Sequence, residues 1–160
     1  MLDQTKKYDY AIVGAGVHGL SAAYYLSKTS SNIAIFDRFT IGHSNGSSHG
    51  PSRITRSTYE YELFRDLNNL ALNKNWPEME KVLGTKLIYN NDFLFYDDNE
   101  ETYRNYENVA KTSNGQLVVS SIEEIEKKYE NVPPIKSKFP PIIDKKAAMI
   151  AADDYILKLS

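Results

Sequence analysis

YDYAIVGAGVHGLSAAYYLSK, residues 8–28, reads as a buried strand that runs through a glycine turn into a helix. YDYAIVG is a short apolar run closed by glycine. GVHGLSAAYYLSKTS follows with Ala22, Ala23 and Leu26 on one side and a polar end. NIAIFDR, residues 32–38, is a second apolar strand. Strand, helix and strand within about thirty residues predict a βαβ unit with a parallel strand pair.

The turn itself is GAGVHG, with Gly14, Gly16 and Gly19 at GxGxxG spacing. Such spacing lets the chain turn tightly, lets the backbone approach a pyrophosphate, and lets helix and strand pack closely. The helix N-terminus then offers free N–H groups and the positive end of its dipole. Asp37 closes the second strand, where an acid accepts hydrogen bonds from ribose hydroxyls. Gly14, Ala15, Gly16, His18, Gly19, Asp37 and Arg38 are therefore candidate dinucleotide contacts. His18 enters as a loop residue rather than a catalyst. The fingerprint serves FAD and NAD equally.

Next comes GHSNGSSHGPSRITRSTY, residues 42–59, small, polar and cationic. Ser47 and Ser48 can donate to phosphate or ribityl oxygens. Gly46 and Gly50 let the chain pass close to a flat cofactor. Arg53 and Arg56 would share a face on a helix and point to opposite sides on an extended strand. On composition alone, a solvated Gly/Ser loop with two surface arginines is the favoured reading of the stretch.

The remaining pattern is mixed. Leu63, Leu67, Leu70 and Ala71 form one helical stripe in residues 59–76, interrupted by Pro77, with a further turn or two closed by Gly84. KLIYNNDFLFYDD predicts a β-hairpin around Asn90 and Asn91. A polar helix is expected to end near Gly115, and Ser121 with Glu124 forms a capping-box pattern. PPIKSKFPP is irregular, and AAMIAADDYILKLS begins as a strand and then stops. Two parallel strands cannot bury both faces of a doubly wound sheet, so the sequence is expected to be the N-terminal part of a longer protein.

The 160 residues carry a net charge of −2 with 41% hydrophobic and 25% charged residues, ordinary values for a globular domain. That balance argues against nucleic acid as a partner. No apolar run reaches membrane-spanning length, and the start lacks a secretory pattern. Cysteine is absent, which removes disulfides, thiolate metal sites and a cysteine nucleophile from these residues. The acidic run Asp97, Asp98, Glu100, Glu101 suits a helix start better than a metal site, and none is expected.

YDYAIVGAGVHGLSAAYYLSK, IFDRF and GHSNGSSHGPSRITRSTYE together resemble the start of the monomeric sarcosine oxidase, N-methyltryptophan oxidase and pipecolate oxidase family of FAD-dependent amine oxidases. The GSSHGxSRxxR pattern is more selective than the glycine fingerprint and favours FAD over NAD. The resemblance implies an α/β, Rossmann-like FAD-binding βαβ domain with the beginning of an α+β substrate domain. Residues 1–84 would be FAD-binding, 85–146 substrate-binding, and 147–160 a return toward the FAD-binding part. It implies that Ser47, Ser48, His49 and Arg53 line the flavin, with His49 and Arg53 near the reacting ring. It implies that Arg56 binds the substrate carboxylate, for which a planar guanidinium is suited. Some family members have a second histidine where Ser48 stands.

The implied activity is oxidation of a secondary amino acid to an imine. The flavin accepts a hydride equivalent, oxygen becomes hydrogen peroxide, and water hydrolyses the imine. The implied partners are an amino acid and O2, with neither membrane nor nucleic acid. The implied setting is a monomer in the cytoplasm or peroxisome. Two other readings remain: a truncated, non-catalytic fragment of such an enzyme, and an NAD-dependent dehydrogenase.

Overall fold

The computed structural model describes residues 6–160. The secretory reading of the first ten residues rests in part on residues 1–5, which lie outside the described residues. The fold is mixed α/β. The chain divides into two compact units. Met1–Arg53, Leu83–Leu87 and Ala151–Ser160 make up the first, and Ile54–Val82 with Ile88–Ile150 the second. Residues 54–82 thus group with the second unit, a different partition from 1–84, 85–146 and 147–160.

The first unit opens with β1 (Tyr10–Val13), α1 (Val17–Ser27) and β2 (Ile33–Phe36). β1 and β2 pair in parallel, Tyr10 against Ile33 through Val13 against Phe36, so the βαβ reading holds. They form a two-stranded sheet, and Val13 is 89% exposed. α1 packs on both strands and buries Leu20. A side chain at Gly19 could not be accommodated: a Cβ there would lie 1.8 Å from the Gly14 carbonyl oxygen. A further helix, α6 (Ala152–Leu159), packs on α1. The hydroxyls of Ser21 and Tyr155 share a hydrogen bond of 2.7 Å at that contact. The final segment therefore does not stop after its strand. Ala151 leads directly into a helix whose first turn carries Asp153 and Asp154, acids that favour a helix N-terminus.

The second unit holds two three-stranded sheets, ordered β3–β8–β4 and β5–β7–β6. The strands are β3 (Ser52–Thr55), β4 (Ile88–Asn90), β5 (Phe93–Phe95), β6 (Leu117–Val119), β7 (Ile142–Asp144) and β8 (Ala148–Ala151). β3 and β8 cross the boundary between the units by one or two residues. The expected hairpin between β4 and β5 does not form. β4 pairs antiparallel with β8, and β5 pairs antiparallel with β7. Alternation identified both strands, but partner choice depends on which faces get buried. β7 is central, with Ile142 in one apolar cluster beside Tyr103 and Leu117, and Ile143 in another beside Ile125 and Ile135. A strand buried on both faces attracts the apolar FLF of β5 more strongly than a partly exposed neighbour does.

Around these sheets lie α2 (Glu62–Leu70), α3 (Trp76–Leu83), α4 (Glu100–Thr112) and α5 (Ile122–Lys128). Pro77 does not break the helical path. A π-helical turn over Ala71–Asn75 joins α2 to α3, and the Trp76 N–H reaches the Ala71 carbonyl. The wider turn gives the proline ring room where a regular helix would set it against a carbonyl. The capping box forms as expected: Glu124 N–H donates to Ser121 Oγ at 3.1 Å, and Ser121 N–H to Glu124 Oε2 at 3.1 Å. Asn99 caps α4 by accepting from the Thr102 N–H at 3.0 Å.

Because the obstruction at Gly19 is backbone, a substituted residue cannot be relieved by a rotamer change. Gly19→Ala is expected to cost about 1–3 kcal/mol or more, as overpacked sites do. A urea unfolding midpoint unchanged from the parent would refute this close packing.

Candidate functional site

The glycine turn, the end of β2 and residues 42–50 surround a cleft of about 500 Å³ in the first unit. That lies within the roughly 300–1,000 Å³ common for small-molecule sites. Its walls include Ala15, Gly16, Asp37, Ser47, Ser48 and His49.

Asp37 joins the two ends of the βαβ unit. Its Oδ2 accepts from the Ala15 N–H at 2.7 Å, and its Oδ1 accepts from the Phe39 N–H at 2.9 Å. These bonds, the Ala15 one foremost, hold its carboxyl below the ordinary value of 3.8, and the neighbouring His43 pulls in the same direction. Asp37 is therefore an anion at neutral pH. His43 Nε2 stands 3.4 Å from Asp37 Oδ1, while its Nδ1 accepts from the Asn45 N–H at 3.0 Å. With Nδ1 as acceptor, the ring proton sits on Nε2, facing the carboxylate.

α1 has no acid in its first turn and no cap from its own N-cap residue. The hydroxyl of Ser48 serves instead, accepting from the Val17 N–H at 3.0 Å. Gly16 makes this approach possible, since a Cβ there would lie 2.9 Å from Ser48 Oγ. The helix N-terminus thus opens onto the cleft lined with small residues, and among the described residues its one side-chain cap is a neutral hydroxyl.

The loop carrying Ser48 is held from within and from α6. Arg53, on β3, donates from Nε to the Ser47 carbonyl at 3.0 Å and from Nη1 to the Ser52 carbonyl at 2.7 Å. Its Nη2 donates to the Ser47 carbonyl at 2.6 Å and also to the His49 carbonyl. The His49 ring bonds the Gly46 carbonyl through Nδ1, which leaves Nε2 as its acceptor in the neutral form. Asp153 accepts from the Gly50 N–H at 2.7 Å.

The expected residues separate into groups. Ala15, Gly16, Asp37, Ser47, Ser48 and His49 come together at the cleft. Gly14 and Gly19 shape the turn behind it. Arg53 braces the loop backbone. His18 is exposed on α1, and Arg38 lies with its guanidinium 5.5 Å from the Phe39 ring centre; neither is among the residues lining the cleft. His43 and Asp153 line the cleft without having been assigned a role from sequence. Only the acidic start of the missed helix α6 hinted at Asp153.

Arg56 lies in the second unit. Its guanidinium sits 5.0 Å from the Tyr59 ring centre and 5.6 Å from that of Phe93. It has neither an ion-pair nor a hydrogen-bond partner among the described residues. Aromatic faces hold a cation in place without using its N–H groups.

Residues 9–156 match the family of FAD dependent oxidoreductases called DAO. The chain belongs to that family. It is 30% identical over 162 residues to a peroxisomal sarcosine oxidase of Mus musculus, covering 96% of this chain and 39% of that protein. It is 31% identical over 157 residues to a monomeric sarcosine oxidase of Arthrobacter sp., covering 94% of this chain and 39% of that protein. The chain thus spans about 39% of the length of these relatives. Among solved structures, it resembles the open form of NikD, an amino acid oxidase of nikkomycin biosynthesis, with a TM-score of 0.78 at 20% identity. That match covers 95% of this chain and 39% of the other. A thermally stable fructosyl peptide oxidase gives a TM-score of 0.75 at 20% identity, over 96% of this chain and 38% of the other. At those identities the likeness concerns the fold.

The cofactor of this DAO family is FAD, and the cleft residues fit it. A helix whose first turn carries no acid suits a diphosphate, and an ionised Asp37 suits ribose hydroxyls.

A carboxyl whose folded pKa is depressed stabilises the fold above its unfolded value, and the contribution disappears as pH falls through the folded value. Asp37→Asn is therefore expected to unfold at lower urea than the parent at pH 7, with the gap closing below about pH 4. Equal midpoints at pH 7 would show that the Ala15 and Phe39 bonds contribute nothing through charge.

Proposed function

We propose that the protein is a FAD-dependent oxidase of a secondary amino acid of the sarcosine or pipecolate kind. The first unit would be the Rossmann-like FAD-binding part, and Arg56 of the second would bind the substrate carboxylate. The observation that carries this reading is the state of Arg56: a half-buried guanidinium braced by two aromatic rings, with every N–H uncommitted among the described residues. A carboxylate can accept two parallel N–H bonds from such a fork.

FAD, when bound, supplies the two-electron acceptor for oxidation of the C–N bond to an imine, and O2 takes up those electrons as hydrogen peroxide. The chain's own residues would position and exclude. Ala15, Gly16 and Ser48 would meet the diphosphate, and Asp37 the ribose. Ser47 would lie along the cofactor. His49 would present Nε2, its Nδ1 being committed to the Gly46 carbonyl. Arg53 would hold the shape of the loop and keep a positive charge in it. His18 and Arg38, which are not among the residues lining the cleft, would contribute at most to its rim.

The relatives named sarcosine oxidase in mouse and Arthrobacter support an amino acid substrate with O2. The word monomeric in the second name supports a monomer. The peroxisomal name of the mouse relative supports a peroxisomal location, with the cytoplasm as the alternative. Among the described residues no helix is long and apolar enough to cross a membrane. A second reading is that residues 1–160 alone bind FAD weakly and catalyse nothing. The 39% coverage of the relatives favours it for these residues taken by themselves. Residues 1–160 expressed alone and recovered with stoichiometric flavin and a cooperative unfolding transition would exclude it.

The intact protein is expected to carry flavin absorbance and to make peroxide with sarcosine or pipecolate; absence of both would refute the oxidase reading. Arg56→Ala is expected to leave flavin bound and to raise KM by the equivalent of about 2–5 kcal/mol. An unchanged KM would remove Arg56 as the carboxylate anchor.

A further inference from the structure

Arg56 stands in a short stretch, Thr55-Arg56-Ser57-Thr58, whose other three residues are buried. Thr55 is 8% exposed, Ser57 2% and Thr58 0%. Two side chains from elsewhere in the second unit hold these neighbours.

The first is Asn68 on α2, itself buried. Its Oδ1 accepts from the Thr55 hydroxyl, and its Nδ2 donates to Ser57 Oγ at 3.0 Å. One amide therefore bridges the residue before Arg56 and the residue after it. The second is Asp144 at the end of β7, fully buried. Its Oδ2 accepts from the Ser57 N–H, from the Thr58 N–H at 2.9 Å and from the Thr58 hydroxyl at 2.9 Å. Its Oδ1 accepts from the Lys146 N–H at 3.0 Å. No cation pairs with it among the described residues. A buried carboxylate satisfied by backbone N–H groups fixes the chain that supplies them, because a displaced N–H leaves the carboxylate short of a partner.

Asp144 has a second connection to Arg56. In the β5–β7 ladder it stands directly opposite Phe93, whose ring lies under the Arg56 guanidinium. One residue thus fixes the backbone that follows Arg56 and faces one of the two rings supporting its head group. A cation that must meet a planar carboxylate through two bonds depends on such placement.

We propose that Asn68 and Asp144 are positioning residues for Arg56, clamping residues 55–58 so that the guanidinium is presented to the substrate carboxylate. This rests on the reading of Arg56 as the carboxylate anchor.

The test is a double-mutant cycle in the intact protein, assayed by peroxide release with sarcosine. Asn68→Ala and Asp144→Asn are each expected to raise KM about 10-fold with kcat and flavin content close to the parent. Thr55→Val, which removes the hydroxyl that Asn68 accepts, is expected to raise KM, and Thr55→Ser to keep it. In an Arg56→Ala background, Asn68→Ala is expected to add less than about twofold, since the residue through which it acts is gone. If Asp144→Asn does not fold, Asn68→Ala and the Thr55 pair decide alone. An unchanged KM in folded Asn68→Ala, or an undiminished effect in the Arg56→Ala background, overturns the clamp and leaves Arg56 as anchor. No change in KM on Arg56→Ala, or no peroxide from the parent, overturns the underlying reading and the clamp with it.

Discussion

The backbone contact between Gly19 and the carbonyl of Gly14 is the constraint on which the first unit depends. It lets α1 start close against β1, with no side chain between them. The helix N-terminus is thereby delivered to the end of the strand, beside Asp37 at the end of the parallel neighbour. Any greater separation would take the Ala15 N–H away from the Asp37 carboxylate. The hydroxyl of Ser48 could then no longer cap Val17. The cleft follows from one position that tolerates only glycine.

The two arginines of the RITR stretch show how one residue type serves opposite needs. Arg53 has donors on all three of its nitrogens turned into carbonyls of its own loop. Its energy goes into loop shape. Arg56 gives none of its donors to the described chain and is supported by ring faces and by the clamped residues beside it. The first is bonded and shapes; the second is braced and available. Buried polar networks are costly when incomplete, and every buried side-chain oxygen and nitrogen of Asn68 and Asp144 has at least one partner, which is a condition for holding a neighbouring group rigidly.

The parallel βαβ unit was legible in the sequence because apolar period, glycine spacing and strand-end acid all report on local geometry. So were the cleft residues Ala15, Gly16, Asp37, Ser47, Ser48 and His49, which lie on or beside that unit. Strands β4 and β5 were also legible, but not their partners, since β7 was hidden in a proline-rich stretch. The π-helical turn before Pro77 was missed because a proline signals a break, and a wider turn is the alternative. Asp144 and Asn68 gave no signal at all. Their bonds join residues far apart in the chain, and nothing in an isolated IID or LNNL marks a residue that will be gripped from elsewhere.

Among the described residues β1 pairs only with β2, and Val13 is 89% exposed, so the other edge of the strand is open in these residues taken by themselves. Four consecutive residues, YAIV, combine high β-propensity with no charge, a template on which another strand can grow. Lys6 and Lys7 stand immediately ahead of Tyr8 and Asp9, at the entrance to that strand. Charges flanking an apolar strand slow the addition of like copies by repulsion.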